Sequence, residues 1–440
     1  MARSSAFDFV GSKKPDAVLH TGSSWSIRRP LVQLLIGLAC GIILPIVFHP
    51  LRYDMEWAEF FDSSVKNTTI GVTAAICLGY YFLRKLTVIP GPLGALYVFP
   101  AFGMAYGIII TLFLFMRFDY GRLQFGASFA ISLIWFLTAL DRSRGSTQTV
   151  ALVPVGDTLS LSNLPDVKWN LLKTPTLPPN CSAVVADVRA NHSAQWQGFI
   201  TDCVLSGVPV LHVKQAQEAL TGRVEIEHLS ENTLGSLNPN DTYLQVKKIG
   251  DFIAAVLVLL LAWPFFLLIA LLVKIDSPGA AIFAQPRVGY RGKVFTIYKF
   301  RTMSAQPSHA EGDARQSAMT SDNDQRITRL GRFLRKMRID ELPQVFNILR
   351  GQMSWIGPRP EAQALSKWYE GELAFYRYRH IVRPGITGWA QINQGHVTEV
   401  DDVLEKLHYD FFYVKNFSFW LDLLITFRTI RTILTGFGSR

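Results

Sequence analysis

Cysteine is scarce in this sequence: the only four are Cys40, Cys77, Cys181 and Cys203, and no two of them have CxxC spacing. So few and scattered a set excludes a disulfide framework, and we interpret the four as reduced thiols in ordinary packing. A secretory signal is also missing, because the first 30 residues are polar and basic and no small-residue cleavage site precedes His49. We therefore expect the first apolar helix to stay attached.

Nucleic-acid-binding patterns are absent as well. No helix-turn-helix, zinc or RNP-like pattern is present. The formal charge of +10 and the isoelectric point near 9.4 nevertheless imply an anionic partner. Charge alone allows nucleic acid, anionic lipid or a phosphorylated substrate. Because the basic residues cluster beside apolar segments, we expect no nucleic acid and favour membrane lipids and a phosphorylated substrate.

What the sequence has in quantity is long apolar runs, with 49% hydrophobic residues and a mean hydropathy of +0.20. Four runs come close to the roughly 20 residues that cross a bilayer. They lie near Leu31 to Phe48, Thr68 to Leu83, Leu93 to Met116 and Phe125 to Leu140. Threonines and glycines dilute the second run, for which a buried soluble helix is the alternative. We predict a membrane bundle of four spans within residues 1–143.

The loops next to these runs predict the orientation of the chain. Acidic residues occupy the loop between the first two runs: Asp54, Glu56, Glu59 and Asp62. Basic pairs flank the other ends: Arg28 and Arg29, Arg84 and Lys85, and Arg142 and Arg144. We therefore expect a multi-pass membrane protein, with the N-terminal tail and everything soluble after about Ser143 on the cytoplasmic face.

Residues 144–246 show a different pattern, with the short β-branched runs "TVALVPV", "AVVADV" and "VPVLHV" and a helix-like stretch from Gln195 to Ser206. This alternation predicts a small α/β domain with a parallel sheet, similar to a Rossmann fold. No GxGxxG motif follows a strand, and Gly156 stands alone. A structural or regulatory role is therefore favoured over ligand binding.

A fifth apolar segment, Phe252 to Val273, is flanked by Lys247, Lys248 and Lys274 and interrupted by Pro264. As a straight helix it would be about 33 Å long and could cross the membrane. Crossing would leave the rest of the chain outside, since no later run is apolar enough to return it. Pro264 allows a bend, so we predict a re-entrant helix over residues 250–274 with both ends cytoplasmic.

Two further stretches combine apolar and basic residues. The run "FSFWLDLLITFRTIRTILTG" is broken by Asp422, Arg428 and Arg431. Between Arg326 and Met337, arginines recur every third residue opposite an apolar face. Both are typical of helices that lie on a membrane surface, and for the second a soluble amphipathic helix is the alternative.

The stretch "RIDELPQVFNILRG" sets Asp340 and Glu341 side by side among basic residues. Asp340 could simply be the N-cap of the helix that follows. Cations attached to Gly and Pro turns favour a phosphate site instead; they are Lys299, Arg301, Arg335, Arg338, Arg359 and Arg383. Two carboxylates beside bound phosphate would suit Mg²⁺.

From about Lys247 to its end, the chain resembles the bacterial sugar transferase family, the monotopic polyprenyl-phosphate phosphoglycosyl transferases. The motifs that carry the resemblance are "KKIGDF", "QPRVGYRGKVFTIYKFRTM", "RIDELPQVFNILRGQMSWIGPRP" and "RPGITGWAQIN". The N-terminal layout is similar to that of the large members. Two positions depart from the family pattern: "KKIGD" stands where Lys-Arg is usual, and Trp263 precedes the proline where a small residue is common.

The resemblance implies that Asp340 is the nucleophile, which forms a covalent aspartyl phosphosugar, and that Glu341 is the Mg²⁺ ligand. Lys299, Arg301 and Arg359 would hold phosphate, and Asp410 in "HYDFFYV" matches a further acidic position. The expected reaction transfers a hexose 1-phosphate, glucose or galactose, from its UDP-sugar to undecaprenyl phosphate with release of UMP. It would be the first membrane step of exopolysaccharide, capsule or O-antigen synthesis, carried out at the bacterial inner membrane.

The expected architecture thus has three parts: a membrane bundle (residues 1–143), a Rossmann-like domain (144–246) and a mainly α-helical catalytic domain (247–440). The membrane helices leave room for a homodimer. A non-catalytic scaffold or regulator of polysaccharide assembly is the alternative from another class, although it leaves Asp340, Glu341 and the arginine turns unexplained. A pyrophosphate-cleaving hydrolase is the alternative among enzymes, and it would need no lipid acceptor.

Overall fold

The computed structural model describes residues 30–53, 63–86, 97–144, 149–164, 167–178, 181–226, 239–304, 326–394 and 400–435. Arg28, Arg29 and the acidic loop that carries Asp54 lie outside these ranges, so the orientation stays a prediction. The chain forms two compact units. One comprises residues 1–85 and 101–146, and the other comprises residues 86–100 and 147–440.

Apolar helices dominate the first unit: α1 (Pro30–Tyr53), α2 (Ser63–Leu86), α3 (Val98–Met116) and α4 (Arg122–Arg144). In α2, Gly71 and Gly79 leave space in which the rings of Phe113 and Phe102 lie directly against the helix. Small residues are typical of such close helix packing in membranes. By length and hydropathy, α3 and the first 19 residues of α4 can cross a bilayer, whereas the described apolar part of α1 is shorter. Four complete spans therefore stay a prediction.

A parallel sheet forms the core of the middle domain, as the sequence predicted. Its strands are β1 (Thr149–Leu152), β2 (Lys168–Leu171), β3 (Cys181–Ala186) and β4 (Val210–His212), in the order β2-β1-β3-β4. Helices α5 (Ala194–Leu205) and α6 (Val213–Thr221) complete it. At the switch point between β1 and β3, where such sheets commonly bind ligands, the Asp187 carboxylate lies against Gly156. The same carboxylate accepts a hydrogen bond from the backbone N–H of Asp157 at 3.2 Å.

The remaining residues form the catalytic domain. Its helices are α7 (Asp241–Asp276), α8 (Arg329–Lys336), α9 (Val345–Leu349), α10 (Gln363–Glu372), α11 (Trp389–Asn393), α12 (Val400–Lys415) and α13 (Phe419–Thr435). Strands β5 (Ile282–Val288) and β6 (Val294–Phe300) form an antiparallel hairpin, and β7 (Ser354–Ile356) pairs in parallel with β8 (Gly385–Thr387). Helices thus predominate, as predicted.

Helix α7 is continuous through Pro264, and it contains the predicted segment 250–274. Ala255, before the proline, and Phe266, Ile269 and Val273, after it, are buried in one apolar core of the catalytic domain. In chain order these four residues are eleven, three and four positions apart, which puts them on a single face of the helix. The other face is apolar and exposed over the same length, and Leu261 is 82% exposed. The catalytic domain therefore lies along α7 on both sides of Pro264.

Asp422, which interrupts the apolar run of α13, is buried rather than turned to water. It accepts hydrogen bonds from Lys247 at 2.6 Å and from Tyr413 at 2.8 Å. Lys247 lies in the first turns of α7, so this buried pair joins the first and last helices of the catalytic domain. The charge that breaks the apolar pattern here is structural.

The middle domain is anchored to the catalytic domain by α6 and by the residues that follow it. Trp389 donates from its indole to the carbonyl of Gly222 at 2.8 Å, and the N–H of Val224 donates to the carbonyl of His408 at 3.0 Å. Lys415 pairs with Glu218 at 2.8 Å. Because Val224 is fully buried, this attachment is part of the core of the second unit.

Candidate active site

The acid pair lies on a single 3-10 turn, Ile339–Gln344, that follows Arg338. Arg338 has a φ of 55°, a left-handed conformation that few residues other than glycine adopt. Asp340 is 8% exposed and Glu341 5% exposed. The residue before α9 is Gln344, so the alternative that Asp340 is the N-cap of this helix is wrong.

Glu341 is fixed by two cations on the same oxygen atom. Its Oε1 accepts one hydrogen bond from Lys299 Nζ at 2.9 Å and another from Arg359 Nη2 at 2.7 Å. Burial by itself would raise the pKa of Glu341, but Arg359 and Lys299 outweigh it and hold this pKa well below its usual range. Glu341 is therefore ionised at neutral pH and held in one orientation.

Asp340 has the opposite electrostatic environment. Burial, together with the neighbouring charge of Glu341, raises its pKa to about 6, against the opposing effect of Lys299, Arg359 and Arg335. A carboxylate with this pKa is still mostly ionised at pH 7 but is more basic than an ordinary aspartate. Two adjacent carboxyls with pKa values displaced in opposite directions are typical of acid pairs with separate roles.

The structure brings four of the six predicted cations to the acid pair. Lys299 and Arg359 contact Glu341 directly. Arg335 is close enough to lower the pKa of Asp340. Arg338 interacts electrostatically with both acids, and burial lowers its own pKa. These side chains come from β6, α8, the residue before the 3-10 turn, and the "GPRP" segment.

Three other predicted residues lie elsewhere. Arg301 donates to the carbonyl of Ser277 at 2.5 Å and to its hydroxyl at 3.0 Å, at the C-terminal end of α7, where a cation is favoured. Arg383 stacks over the ring of Tyr290 at 5.5 Å. Asp410 pairs with Arg379 at 2.8 Å, and neither contacts the acid pair within the part of the chain that the structure describes. Their roles in binding phosphate stay predictions.

A buried ionic network behind the acid pair escaped the sequence reasoning. Glu361 pairs with Lys406 at 2.6 Å, and Arg379 donates to the carbonyl of Arg359 at 2.9 Å. Arg287 donates to the carbonyl of Pro360 at 2.6 Å. The signal was slight: Arg287 lies inside the quoted "QPRVG" motif and Glu361 follows "GPRP" directly. Together these residues hold the segment that presents Arg359.

Gly357 in that segment is required for close packing of two backbone segments. A Cβ on Gly357 would collide with the backbone of Arg383 and Gly385. The N–H of Gly357 donates to the carbonyl of Thr387 at 2.9 Å, and that of Gly385 donates to Pro358 at 3.0 Å. The "GPRP" and "RPGITG" motifs are therefore packed backbone against backbone, which rigidly positions Arg359.

The carboxylates suit a hard divalent cation. Glu341 Oε2 is buried and has no hydrogen-bond partner among the described residues. Within that same part of the chain, no group of three or more His, Cys, Asp or Glu is placed to hold a metal. Mg²⁺ commonly takes only one or two protein carboxylates and completes its shell from phosphate and water. The carboxylates of Glu341 and Asp340 fit that mode of coordination.

The acid pair is surrounded by cations, and the same domain contains a helix with one exposed apolar face. These features indicate a membrane-associated enzyme that acts on phosphorylated substrates. Residues 242–436 match the family model described as bacterial sugar transferase. A protein of Aeromonas hydrophila named UDP-N-acetylgalactosamine-undecaprenyl-phosphate N-acetylgalactosaminephosphotransferase is 42% identical over 425 residues, which are 95% of this chain and 98% of that protein. The chain belongs to the bacterial sugar transferase family.

Two other relatives match over less than half of this chain. The UDP-glucose:undecaprenyl-phosphate glucose-1-phosphate transferase of Xanthomonas campestris pv. campestris is 42% identical over 202 residues, 46% of this chain and 41% of the relative. The exopolysaccharide production protein PSS of Rhizobium leguminosarum bv. phaseoli is 40% identical over 197 residues, which are 44% of this chain and 96% of that relative. The matched residues thus account for nearly the whole of the second relative.

Proposed function

We propose that this chain transfers a sugar 1-phosphate from a UDP-sugar to undecaprenyl phosphate and releases UMP, as the first membrane step of a bacterial polysaccharide. The observation that carries the proposal is the pairing of a buried Asp340, whose pKa is raised, with a Glu341 fixed by Lys299 and Arg359. The match to a transferase over 425 residues supports it.

In the first step, an Oδ atom of Asp340 attacks the phosphorus that carries the sugar. The bond from this phosphorus to the UMP oxygen breaks, and UMP leaves with the bonding electrons. The enzyme then carries an aspartyl phosphosugar. In the second step a phosphate oxygen of undecaprenyl phosphate attacks the same phosphorus, which frees Asp340 and gives undecaprenyl-diphospho-sugar. One pyrophosphate bond replaces another, so the overall reaction is nearly balanced.

Charge stabilisation in both steps falls to the surrounding cations. Lys299, Arg359, Arg335 and Arg338 neutralise the phosphate groups and the charge that develops on the leaving oxygen. Glu341 Oε2, with Asp340 beside it, would hold Mg²⁺, which when bound supplies further neutralisation of phosphate oxygens. The role of Glu341 is then to fix the position of positive charge next to the nucleophile.

For the sugar we favour an N-acetylgalactosamine 1-phosphate over glucose or galactose. The relative that matches along the whole chain is named for UDP-N-acetylgalactosamine. The relatives named for UDP-glucose match over about half of this chain, 46% in one case and 52% in another. The hexoses expected from the resemblance remain the second choice.

The acceptor requires the site to lie at the bilayer surface, since its phosphate is tied to a long lipid. We propose that α7 enters and leaves the membrane on the cytoplasmic face. Contacts between the catalytic domain and α7 on both sides of Pro264 support this arrangement. The exposed apolar face of α7 would then contact lipid.

The test uses purified full-length protein in detergent with undecaprenyl phosphate, Mg²⁺, and the UDP derivatives of N-acetylgalactosamine, N-acetylglucosamine, glucose and galactose. UMP release is measured for the wild type, Asp340→Asn and, as a control, Asp402→Asn, whose side chain is exposed. We expect release with one sugar, lost in Asp340→Asn alone. Near-normal turnover by Asp340→Asn would overturn the mechanism. Sustained release without lipid would indicate a hydrolase, and no release with any of the four sugars would indicate another nucleotide donor.

A further inference from the structure

The face of the 3-10 turn that carries Glu341 continues into α9 as a buried polar stripe. Its members are Glu341, Gln344 and Asn347, which recur every third residue and are all buried. Side chains three residues apart lie on one side of a 3-10 turn and remain neighbours on an α-helix. The stripe therefore places the amide of Gln344 next to the carboxylate of Glu341, and the proposed chemistry does not use this amide.

Strand β6 lies along this polar stripe. At one end of the stripe, Asn347 Oδ1 accepts a hydrogen bond from the backbone N–H of Tyr298 at 3.2 Å. At the other end, Glu341 accepts a hydrogen bond from Lys299 at 2.9 Å. Tyr298 and Lys299 are adjacent in β6. Gln344 is midway between the two anchored residues of the stripe, so its buried side chain lies against the same strand.

The amide of Gln344 has an unpaired donor. The side chain is 2% exposed, and its buried Nε2 has no hydrogen-bond partner among the described residues. Buried donors are nearly always paired, because an unpaired one destabilises the folded state. Almost none of this side chain is accessible to solvent. We therefore look for its partner among neighbouring groups of the protein rather than in a ligand from solution.

A suitable acceptor lies one turn away. Glu341 Oε1 accepts from Lys299 and Arg359, whereas Oε2 is buried without a hydrogen-bond partner in the described part of the chain. On a helix surface, Cβ atoms three residues apart are about 5–6 Å apart, within reach of a glutamate and a glutamine side chain. An unpaired donor and an unpaired acceptor thus share one face of one turn. Hydrogen bonds in active sites are often open before the substrate binds and close in the complex.

We propose that Gln344 is a positioning residue, whose Nε2 donates to Glu341 Oε2 when the UDP-sugar binds and so orients this oxygen for Mg²⁺. A carboxylate oxygen has two lone pairs, so the amide leaves one of them for the metal. Carboxylates that bind metals are commonly hydrogen-bonded in this way. This inference rests on the proposed function, which assigns Mg²⁺ to Glu341.

A neutral donor suits this position better than a charged one. Lys299 and Arg359 already bring two positive charges to Glu341. A third cation, on Oε2, would repel a metal ion, because like charges destabilise each other strongly in a buried site. The amide of Gln344 can fix the direction of Oε2 without adding charge, so the carboxylate keeps its attraction for Mg²⁺.

The test compares the wild type with Gln344→Met, because methionine is unbranched like glutamine but has no donor. The matched control is Asn347→Leu, which removes the other amide of the stripe, one that already has partners in β6. Mn²⁺ stands in for Mg²⁺, and its binding to the full-length protein in detergent is measured from the EPR signal of the free ion. Thermal unfolding is followed without metal. Glu341→Gln serves as the variant that lacks the metal ligand.

We expect Gln344→Met to bind Mn²⁺ about tenfold to a hundredfold more weakly than the wild type, the usual loss when a group that supports a metal ligand is removed. Its unfolding midpoint without metal should be unchanged or higher, since an unpaired buried donor has gone. Asn347→Leu should unfold at a clearly lower temperature, because it leaves backbone groups of β6 unpaired, and should bind Mn²⁺ like the wild type.

Unchanged Mn²⁺ affinity in Gln344→Met would overturn the inference. So would a fall in its unfolding midpoint as large as that of Asn347→Leu, which would make the amide of Gln344 part of the packing. Wild-type binding of Mn²⁺ no tighter than that of Glu341→Gln would remove the metal from Glu341, and the inference with it. The proposed transfer mechanism fails separately, through normal turnover of Asp340→Asn.

Discussion

The carboxylate of Asp410 lies 2.8 Å from the guanidinium of Arg379, and both residues are almost completely buried, at 1% and 3% exposure. Arg379 also donates to the backbone carbonyl of Arg359, which in turn holds Glu341. Two residues, Arg379 and Arg359, therefore lie between Asp410 and the acid pair. In this geometry it positions the segment that binds phosphate, and its effect on the reaction is indirect.

Replacing Asp410 by asparagine should destabilise the protein, because it leaves the buried Arg379 without its charged partner. Loss of one member of a buried pair costs about 3 kcal/mol. Thermal unfolding of the full chain in detergent should show a clear fall in midpoint for Asp410→Asn. Asp402→Asn, on the exposed face of the same helix, should show none. Equal midpoints for the two variants would contradict a structural role for the pair.

Asp340→Asn should have the opposite effect on stability at neutral pH. Asp340 has a pKa of about 6 in the folded chain, above its ordinary value of 3.8. Because the folded state holds this proton more tightly, stability falls as pH rises from about 4 to 6 and stays lower above that. Removing the carboxylate should therefore raise the unfolding free energy at pH 7.5 by up to about 3 kcal/mol.

The same comparison at pH 4 supplies the control. Most Asp340 side chains are then protonated in the folded chain, so the wild type and Asp340→Asn should unfold at nearly the same temperature. The activity of the wild type should fall about tenfold per pH unit below pH 6, as the nucleophile takes up its proton. A stabilisation of equal size at pH 4 and pH 7.5 would show that the charge of Asp340 is not its cause.

Lys299 and Arg359 should behave as a coupled pair, since both donate to Oε1 of Glu341. Either Lys299→Gln or Arg359→Gln leaves Glu341 one charged partner. The double variant leaves a buried carboxylate without either, so its loss of stability should exceed the sum of the single losses by about 1–3 kcal/mol. Adding Glu341→Gln should remove this excess. Simple additivity would mean that the two cations act independently.

Local patterns predicted much of this architecture. The β-branched runs gave the parallel sheet of the middle domain, and the apolar stretches gave α3, α4 and the core of α7. The stretch around "DELPQ" correctly indicated that a helix follows Asp340 and Glu341. Such signals depend on neighbours in sequence, and one chain is enough to read them.

Pairs of charges that are distant in sequence were beyond this reasoning. Glu361 and Lys406 are 45 residues apart, and Lys247 and Asp422 are 175 apart. Each looks like an exposed surface residue until the tertiary structure buries it with its partner. For the same reason Asp422 resembled a polar break in a surface helix, and the contact of Arg301 with the end of α7 was not predicted.

The topology of α7 can be decided by labelling. One face of α7 contacts the catalytic domain on both sides of Pro264, which is difficult to reconcile with a helix that passes straight through the bilayer. Ile275, near the end of α7, is 74% exposed and should lie in the cytoplasm. In a variant whose four native cysteines are serines, Ile275→Cys should resist a membrane-impermeant maleimide in intact spheroplasts and react after lysis.

A matched variant, Met55→Cys, reports on the other side, because Met55 lies between Asp54 and Glu56 in the loop predicted to be outside. It should react in intact spheroplasts. Both variants need to retain UMP release, so that labelling reports on the active form. Reaction of Ile275→Cys from outside would mean that α7 crosses the bilayer. The acid pair, which follows α7 in the chain, would then face away from the cytoplasm, and the proposed use of a cytoplasmic UDP-sugar would fail with it.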